Sequence, residues 1–137
     1  FAFAGVRLGY LAAAAAVVGA LRLVRLPYHL SALTQAAAIT AVRHAGPMLA
    51  TVGEIREQRD RLAVALLELG YRVHDSGANF LLVGGFADPA ATFTALRERG
   101  ILIRDLAIEG HLRMTAGTEA ETTALIAALT ELAPNDR

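Results

Sequence analysis

Gly70 divides this chain into two stretches whose apolar periodicities belong to different kinds of element. Ahead of it, apolar residues return at helical spacing. Val17, Val18, Leu21 and Val24 share one face of a helix over 14–24, and a longer helical stretch runs from Pro47 to Leu69. Behind it the apolar runs are short and of strand length, as in NFLLVG at 79–84. A glycine closing a long helix is read as its C-cap, because it reaches the left-handed backbone that ends a helix without a steric cost. The chain must therefore turn at Gly70 from helix to sheet.

The remaining elements follow from local signals. Residues 6–13 (VRLGYLAA) read as a short buried strand leading into helix 14–24, which Leu26-Pro27 stops. Ser31 caps a second helix, Ala32 to Ala45, and Gly46-Pro47 opens the third. In that third helix Glu57 and Arg61 stand at i,i+4 and are expected to pair. Strands are expected over 71–74, 79–84, 101–104 and 111–115, with a helix from Pro89 to Arg99 between the second and third. Thr118 and Glu121 form a capping box ahead of a last helix that turns Leu125, Ile126 and Leu129 inward. The order strand, strand, helix, strand, strand, helix predicts a compact α+β unit over 71–137, its helices packed on one face of a small sheet. Residues 1–46 lie outside that pattern and read as the end of another domain, with helix 47–70 bridging the two.

Composition narrows the function classes. The chain has 137 residues, 55% of them apolar, within the size of a single domain and rich enough for a core. Thirteen basic residues balance thirteen acidic ones, so no charge excess points to nucleic acid or to an anionic membrane. The run Leu11–Leu21 (LAAAAAVVGAL) is too short to span a bilayer, and its arginines, Arg22 and Arg25, follow it rather than precede it as in a signal peptide. Without cysteine, disulfides and thiolate metal sites are excluded, which suits a reducing cytoplasm. His29, His44, His74 and His111 lack the spacing of metal ligands, and no metal site is expected. No Ser-His-Asp set is arguable. All thirteen basic residues are arginine, so no side chain here can supply a neutral amine nucleophile.

Three arginines lie in or beside apolar strands: Arg7 in AGVRLGY, Arg104 in ILIRD and Arg113 in HLRMTAG. Burying a guanidinium is costly unless it is paired, and its fork matches carboxylate or phosphate. Either each pairs with a nearby carboxylate such as Asp105 or Glu109, or together they serve an anionic ligand with more than one acidic group. Gly5 and Gly9 flank Arg7 and permit close approach of a ligand to the backbone.

These segments carry a resemblance. FAFAGVRLGYLAA is similar to the stretch that follows the Schiff-base lysine in fold-type I aminotransferases, broadly Ser-Lys-x-x-x-x-x-Gly-x-Arg-x-Gly-Tyr/Phe. VRLPYHLSALTQAAA resembles the Pro-Tyr region of the histidinol-phosphate aminotransferase family, and ANFLLV, GILIRDL and HLRMTAGT follow in the family's order. The likeness covers essentially the whole chain. It implies an α/β fold, the end of the pyridoxal-phosphate-dependent transferase large domain followed by the small C-terminal α+β domain. It implies pyridoxal phosphate as cofactor, small-molecule substrates and a homodimeric parent. The expected reaction is L-histidinol phosphate plus 2-oxoglutarate to imidazole-acetol phosphate plus L-glutamate, in histidine biosynthesis.

Residue by residue, Arg7 matches the arginine that binds the cofactor phosphate and Arg113 the one that grips the substrate α-carboxylate. Arg104 matches an arginine that helps bind the substrate phosphate, and Asn79 lies where a strand approaches the substrate. Tyr28 either lines the site or only packs, and packing is the favoured reading. By the same resemblance the Schiff-base lysine falls two residues before Phe1. The chain opens within the apolar FAFAG and has no initiator methionine, so it is expected to be a fragment without a catalytic residue of its own and inactive alone. Another class I/II aminotransferase, such as an aromatic one, is the near alternative, and a non-catalytic α+β interaction module the distant one.

Overall fold

A computed structural model describes residues 3–133. The chain divides into two compact units, residues 1–50 and 51–137, with the boundary inside the third helix.

The first unit holds a 3-10 turn at Ala4–Val6, helix α1 (Ala15–Val24), helix α2 (Ala32–Arg43) and the start of α3 (Ala45–Glu68). Ser31 caps α2 as expected, its side chain accepting from the Thr34 N–H at 3.0 Å. The strand expected over 6–13 does not form. Residues 8–14 have no regular structure, and Tyr10 is 97% exposed. A strand needs a neighbour to take its N–H and C=O groups, and none pairs with this segment. Neither α1 nor α2 buries any residue. The apolar stripe of α1 is real, with Val17, Leu21 and Val24 all on it, but it stays exposed within this chain.

In the second unit α3 ends at Gly70 as the sequence requires. Gly70 has φ 88°, its N–H bonds the Leu67 carbonyl, and the Tyr71 N–H bonds back to Leu66. That six-to-one bond closes the last turn and throws the chain into the sheet. Strands β1 (Arg72–Val73), β2 (Phe80–Gly84), β3 (Arg104–Asp105) and β4 (His111–Thr115) form one antiparallel sheet in the order β1-β2-β4-β3. Helix α4 (Pro89–Glu98) follows β2 and helix α5 (Glu119–Leu132) follows β4. The strand expected over 101–104 is displaced to Arg104–Asp105. Ile101 and Ile103 instead turn from the sheet ladder to pack against the core.

The β2–β4 ladder sets the layers. It pairs Leu81 with Met114 and Val83 with Leu112, all four buried, and these meet Leu62 and Leu66 of α3, Leu96 of α4 and Leu125 and Leu129 of α5. The helices therefore cover one face of the sheet, the arrangement the pattern predicted for this region. Ile126, expected inward, sits at the margin of the core. The Glu57–Arg61 pair is not made: Arg61 bonds Gln58, the Glu119 carbonyl and Thr123 instead, fastening α3 to α5.

The capping box at α5 is complete. Glu121 Oε2 accepts from the Thr118 N–H at 2.7 Å, and the Thr118 hydroxyl accepts from the Glu121 N–H. Gly117 leaves room for it, since a Cβ there would lie 2.5 Å from Glu121 Oε2. The bond from the Thr118 backbone, then that from its hydroxyl, holds the Glu121 carboxyl below its usual range. A depressed folded-state value means stability that is full at neutral pH and lost as pH falls through the carboxylate range. Thermal midpoints measured from neutral pH down to about pH 3 should fall less for Glu121→Gln than for the native chain, because the amide keeps an acceptor oxygen that does not titrate.

Candidate functional site

Alternation along β4 decides what its polar residues face. Leu112 and Met114 enter the core, so His111 and Arg113 stand on the opposite face, which the helices do not cover. On that face Arg113 is directly opposite Arg104 of β3 and opposite Leu82 of β2. Two guanidinium groups thus occupy neighbouring strands at matched positions. Like charges so placed repel.

Among the described residues no carboxylate pairs with them: the ion pairs there are Arg59–Asp60 and Arg99–Glu131, and neither the Arg104 nor the Arg113 side chain makes a hydrogen bond. Pairing with Asp105 or Glu109 is therefore not how these arginines are satisfied. Asp105 turns its carboxylate to the Ala107 N–H at 2.7 Å, closing the turn after β3. The Arg113 guanidinium lies over the Phe80 ring, 4.8 Å from its centroid, and its Nε is buried without a partner. A buried unpaired donor of this kind costs roughly 1–3 kcal/mol. The ring takes up one side of the cation while its outer nitrogens remain available.

Asn79 lies just before Phe80 on the same strand path. Its backbone carbonyl accepts from the Ala116 N–H at 2.9 Å, and its exposed side chain has no bond. The turn that delivers it is tied at several points. Ser76 Oγ donates to the Phe80 carbonyl and accepts from the Ala78 N–H, while Arg59 Nη1 donates to the Ala78 carbonyl at 3.1 Å. Arg59 is a positioning residue that sequence reasoning missed. It is an arginine on a charged helix face, with no local sign that it reaches a turn nineteen residues on.

Arg7 belongs to the first unit. It is exposed rather than buried in a strand, and it adopts φ 57°, a left-handed conformation uncommon outside glycine. Its Nη1 donates to the Ala4 carbonyl at 3.2 Å, which leaves the rest of the fork open. It lines a hollow of ≈ 500 Å³ with Gly5, His29, Ser31 and Thr34. A Cβ at Gly5 or Gly9 would meet nothing within 4 Å, so the space beside both is open. Tyr28 is 97% exposed, so the packing role expected for it is not realised within this chain. No group of three or more metal-ligating side chains gathers among the described residues, and none of their helices is long and apolar enough to cross a membrane.

The second unit is thus a helix-backed antiparallel sheet with two arginines on its free face. A family model described as aminotransferase class I and II matches residues 1–129. The chain belongs to that family. The histidinol-phosphate aminotransferase of Mycolicibacterium smegmatis is 56% identical over 133 residues, covering 97% of this chain and 35% of that protein. The chain thus spans about a third of the length of such curated relatives. Among solved structures, the histidinol-phosphate aminotransferase from Clostridium acetobutylicum shares the fold, with a TM-score of 0.78 over 98% of this chain and 43% of that one at 22% identity. The L-threonine-O-3-phosphate decarboxylase from Porphyromonas gingivalis reaches 0.72 at 27% identity, over 93% of this chain and 42% of its own.

The opposed arginines carry a measurable consequence. Replacing Arg104 by glutamine removes the cross-strand repulsion and should raise the chain's stability by roughly 0.2–1 kcal/mol, read as a higher urea midpoint at unchanged slope. A fall in the midpoint would show that Arg104 has a structural partner.

Proposed function

We propose that this chain supplies the anion-gripping part of a pyridoxal-phosphate-dependent histidinol-phosphate aminotransferase. The observation that carries the reading is the Arg104–Arg113 pair, two opposed guanidinium groups with no counter-charge and one buried unbonded nitrogen. Such an arrangement is unfavourable in isolation and becomes favourable when an anion enters. Arg113, beside the Phe80 ring, takes in its fork the α-carboxylate of the 2-oxo acid and of the amino acid formed from it. Arg104, exposed on the neighbouring strand, takes the substrate phosphate. The relatives above are named for histidinol phosphate or L-threonine-O-3-phosphate, each of which carries a phosphate for such a cation to hold. Asn79, in the turn before β2, contributes an exposed amide without a partner.

The donors around Arg7 fit a phosphate group: an open guanidinium edge beside a hollow that Ser31 and Thr34 also line, in a strained left-handed conformation of the sort that functional sites retain. When bound, pyridoxal phosphate supplies the electron sink for chemistry at the substrate Cα. The residues of this chain bind and orient; remote anchors hold the reacting carbon in place. They supply no Schiff-base amine, because no lysine is present. On this reading residues 1–46 close the cofactor-binding domain, 47–70 bridge, 71–137 form the small domain, and the parent works as a cytoplasmic homodimer on phosphorylated amino compounds and 2-oxo acids.

Two experiments test this. In a full-length enzyme carrying this sequence, Arg104→Ala should lower kcat/KM for the phosphorylated substrate by about tenfold or more and leave an aromatic amino acid largely unaffected. An unchanged ratio would favour an aromatic aminotransferase. The isolated chain mixed with pyridoxal phosphate should give a Schiff-base absorbance band through its N-terminal amine alone, and acetylating that amine should abolish the band. A band that survives acetylation would refute the assignment of this chain to the anion-gripping part only.

A further inference from the structure

A second cluster lies on the free face of the sheet, one step along the strands from the arginine pair. Arg72, Gly84 and His111 stand opposite one another on β1, β2 and β4. His111 reaches across the glycine toward β1. A Cβ at Gly84 would lie 2.6 Å from His111 Nε2 and 3.0 Å from Arg72 Nη2, so only glycine leaves the path open. His111 Nε2 is 3.2 Å from His74 Nε2 and 3.3 Å from Arg72 Nη2.

The other ring nitrogen settles who donates. His111 Nδ1 is 2.6 Å from the Glu109 carbonyl oxygen, which can only accept, so Nδ1 carries the hydrogen. A neutral ring then leaves Nε2 bare, and this one lone pair receives an N–H from both Arg72 and His74. β1 is an edge strand of two residues, paired with β2 at two positions. Its extension at His74 adds one backbone bond, from the His74 N–H to the Leu82 carbonyl at 3.0 Å. So short an edge gains much from side chains that tie it to β4, with which it shares no ladder.

We infer that His111 and His74 form a proton-sensitive clasp, holding edge strand β1 to β4 while His111 is neutral and releasing it when both rings are protonated. A proton on His111 Nε2 takes the acceptor from Arg72 and sets an imidazolium against its guanidinium; the His74 contact then reverses, with His111 donating, until a second proton on His74 removes that acceptor as well. The facing groups are Arg72 and His74 from β1 and, two positions along β4, Arg113; β2 contributes only the bare Gly84. Asp75 and Glu109 make no ion pair with any of them. The stability that the clasp adds is present while His111 is neutral and is lost as falling pH adds the two protons. Release is local. The far end of the segment that follows β1 is held by Ser76, Arg59 and the Asn79–Ala116 bond, which do not titrate with histidine.

Amide hydrogen exchange on the 137-residue chain tests this, with rates corrected for the intrinsic effect of pH. Acidification through the histidine range should lower protection of the His74 amide by about tenfold and leave the Ala116 amide unchanged. In His111→Gln, which keeps an acceptor but no titrating ring, the His74 response should be flat. An acid response in His111→Gln equal to the native one overturns the inference. So does an imidazole nitrogen spectrum at neutral pH that puts the His111 proton on Nε2. Gly84→Ala should displace the ring and lower His74 protection already at neutral pH; full protection in that variant would also overturn it.

Discussion

The five residue pairs between β2 and β4 determine which side chains of this unit meet. Side chains alternate along a strand, so the register that sends Leu112 and Met114 into the core sends His111 and Arg113 to the other face. A slip of one residue would bury a guanidinium and an imidazole and expose two side chains that are now fully buried. Each of those apolar side chains is worth roughly 1.5–3 kcal/mol of burial. The core on one side of the sheet therefore enforces the placement of cations on the other. Stability and ligand chemistry are read from the same five pairs.

That free face combines features that are hard to justify by folding alone. Two arginines oppose each other without a carboxylate, one of them with a buried unbonded nitrogen. A chain selected only for stability would place an acid at one of these positions, as it does at Arg59 with Asp60 and at the start of α5 with the Thr118–Glu121 box. The contrast within one small unit separates charges that are satisfied internally from charges left for something else. Membership of the aminotransferase class I and II family gives that distinction a chemical context, and the local geometry gives it residues.

Much of the second unit was legible because its signals are local. Strand His111–Thr115, the Gly70 terminus and the Thr118–Glu121 box are each specified by residues within a few positions of one another. What failed to read depends on partners far along the chain. VRLGYLAA has a strand's composition, but a strand exists only where another supplies hydrogen bonds, and none here does. ILIR has the same composition, yet its isoleucines pack on the core while the ladder begins at Arg104. The three arginines were recognisable as unusual, whereas the opposition of Arg104 and Arg113 required the register. Likewise the alternation in HLRMT put His111 on the face of Arg113, but only the pairing of three strands through Gly84 brought it to Arg72 and His74.

Asn79, proposed above as a substrate-side residue, shows how the scaffold holds one position of the chain. Around it the Ala78 N–H, the Ala78 carbonyl, the Asn79 carbonyl and the Phe80 carbonyl are all engaged, by Ser76, Arg59, Ala116 and Ser76 again. The backbone has little freedom left, and the side-chain amide has no partner. A side chain whose backbone is tied from four directions loses little further entropy when it meets a ligand, so more of each contact survives as binding. Arg59 makes that connection from α3, the helix whose Leu62 and Leu66 are fully buried in the core. The rigidity of the hydrophobic layer thus passes through one guanidinium, 11% exposed, to the turn that presents Asn79.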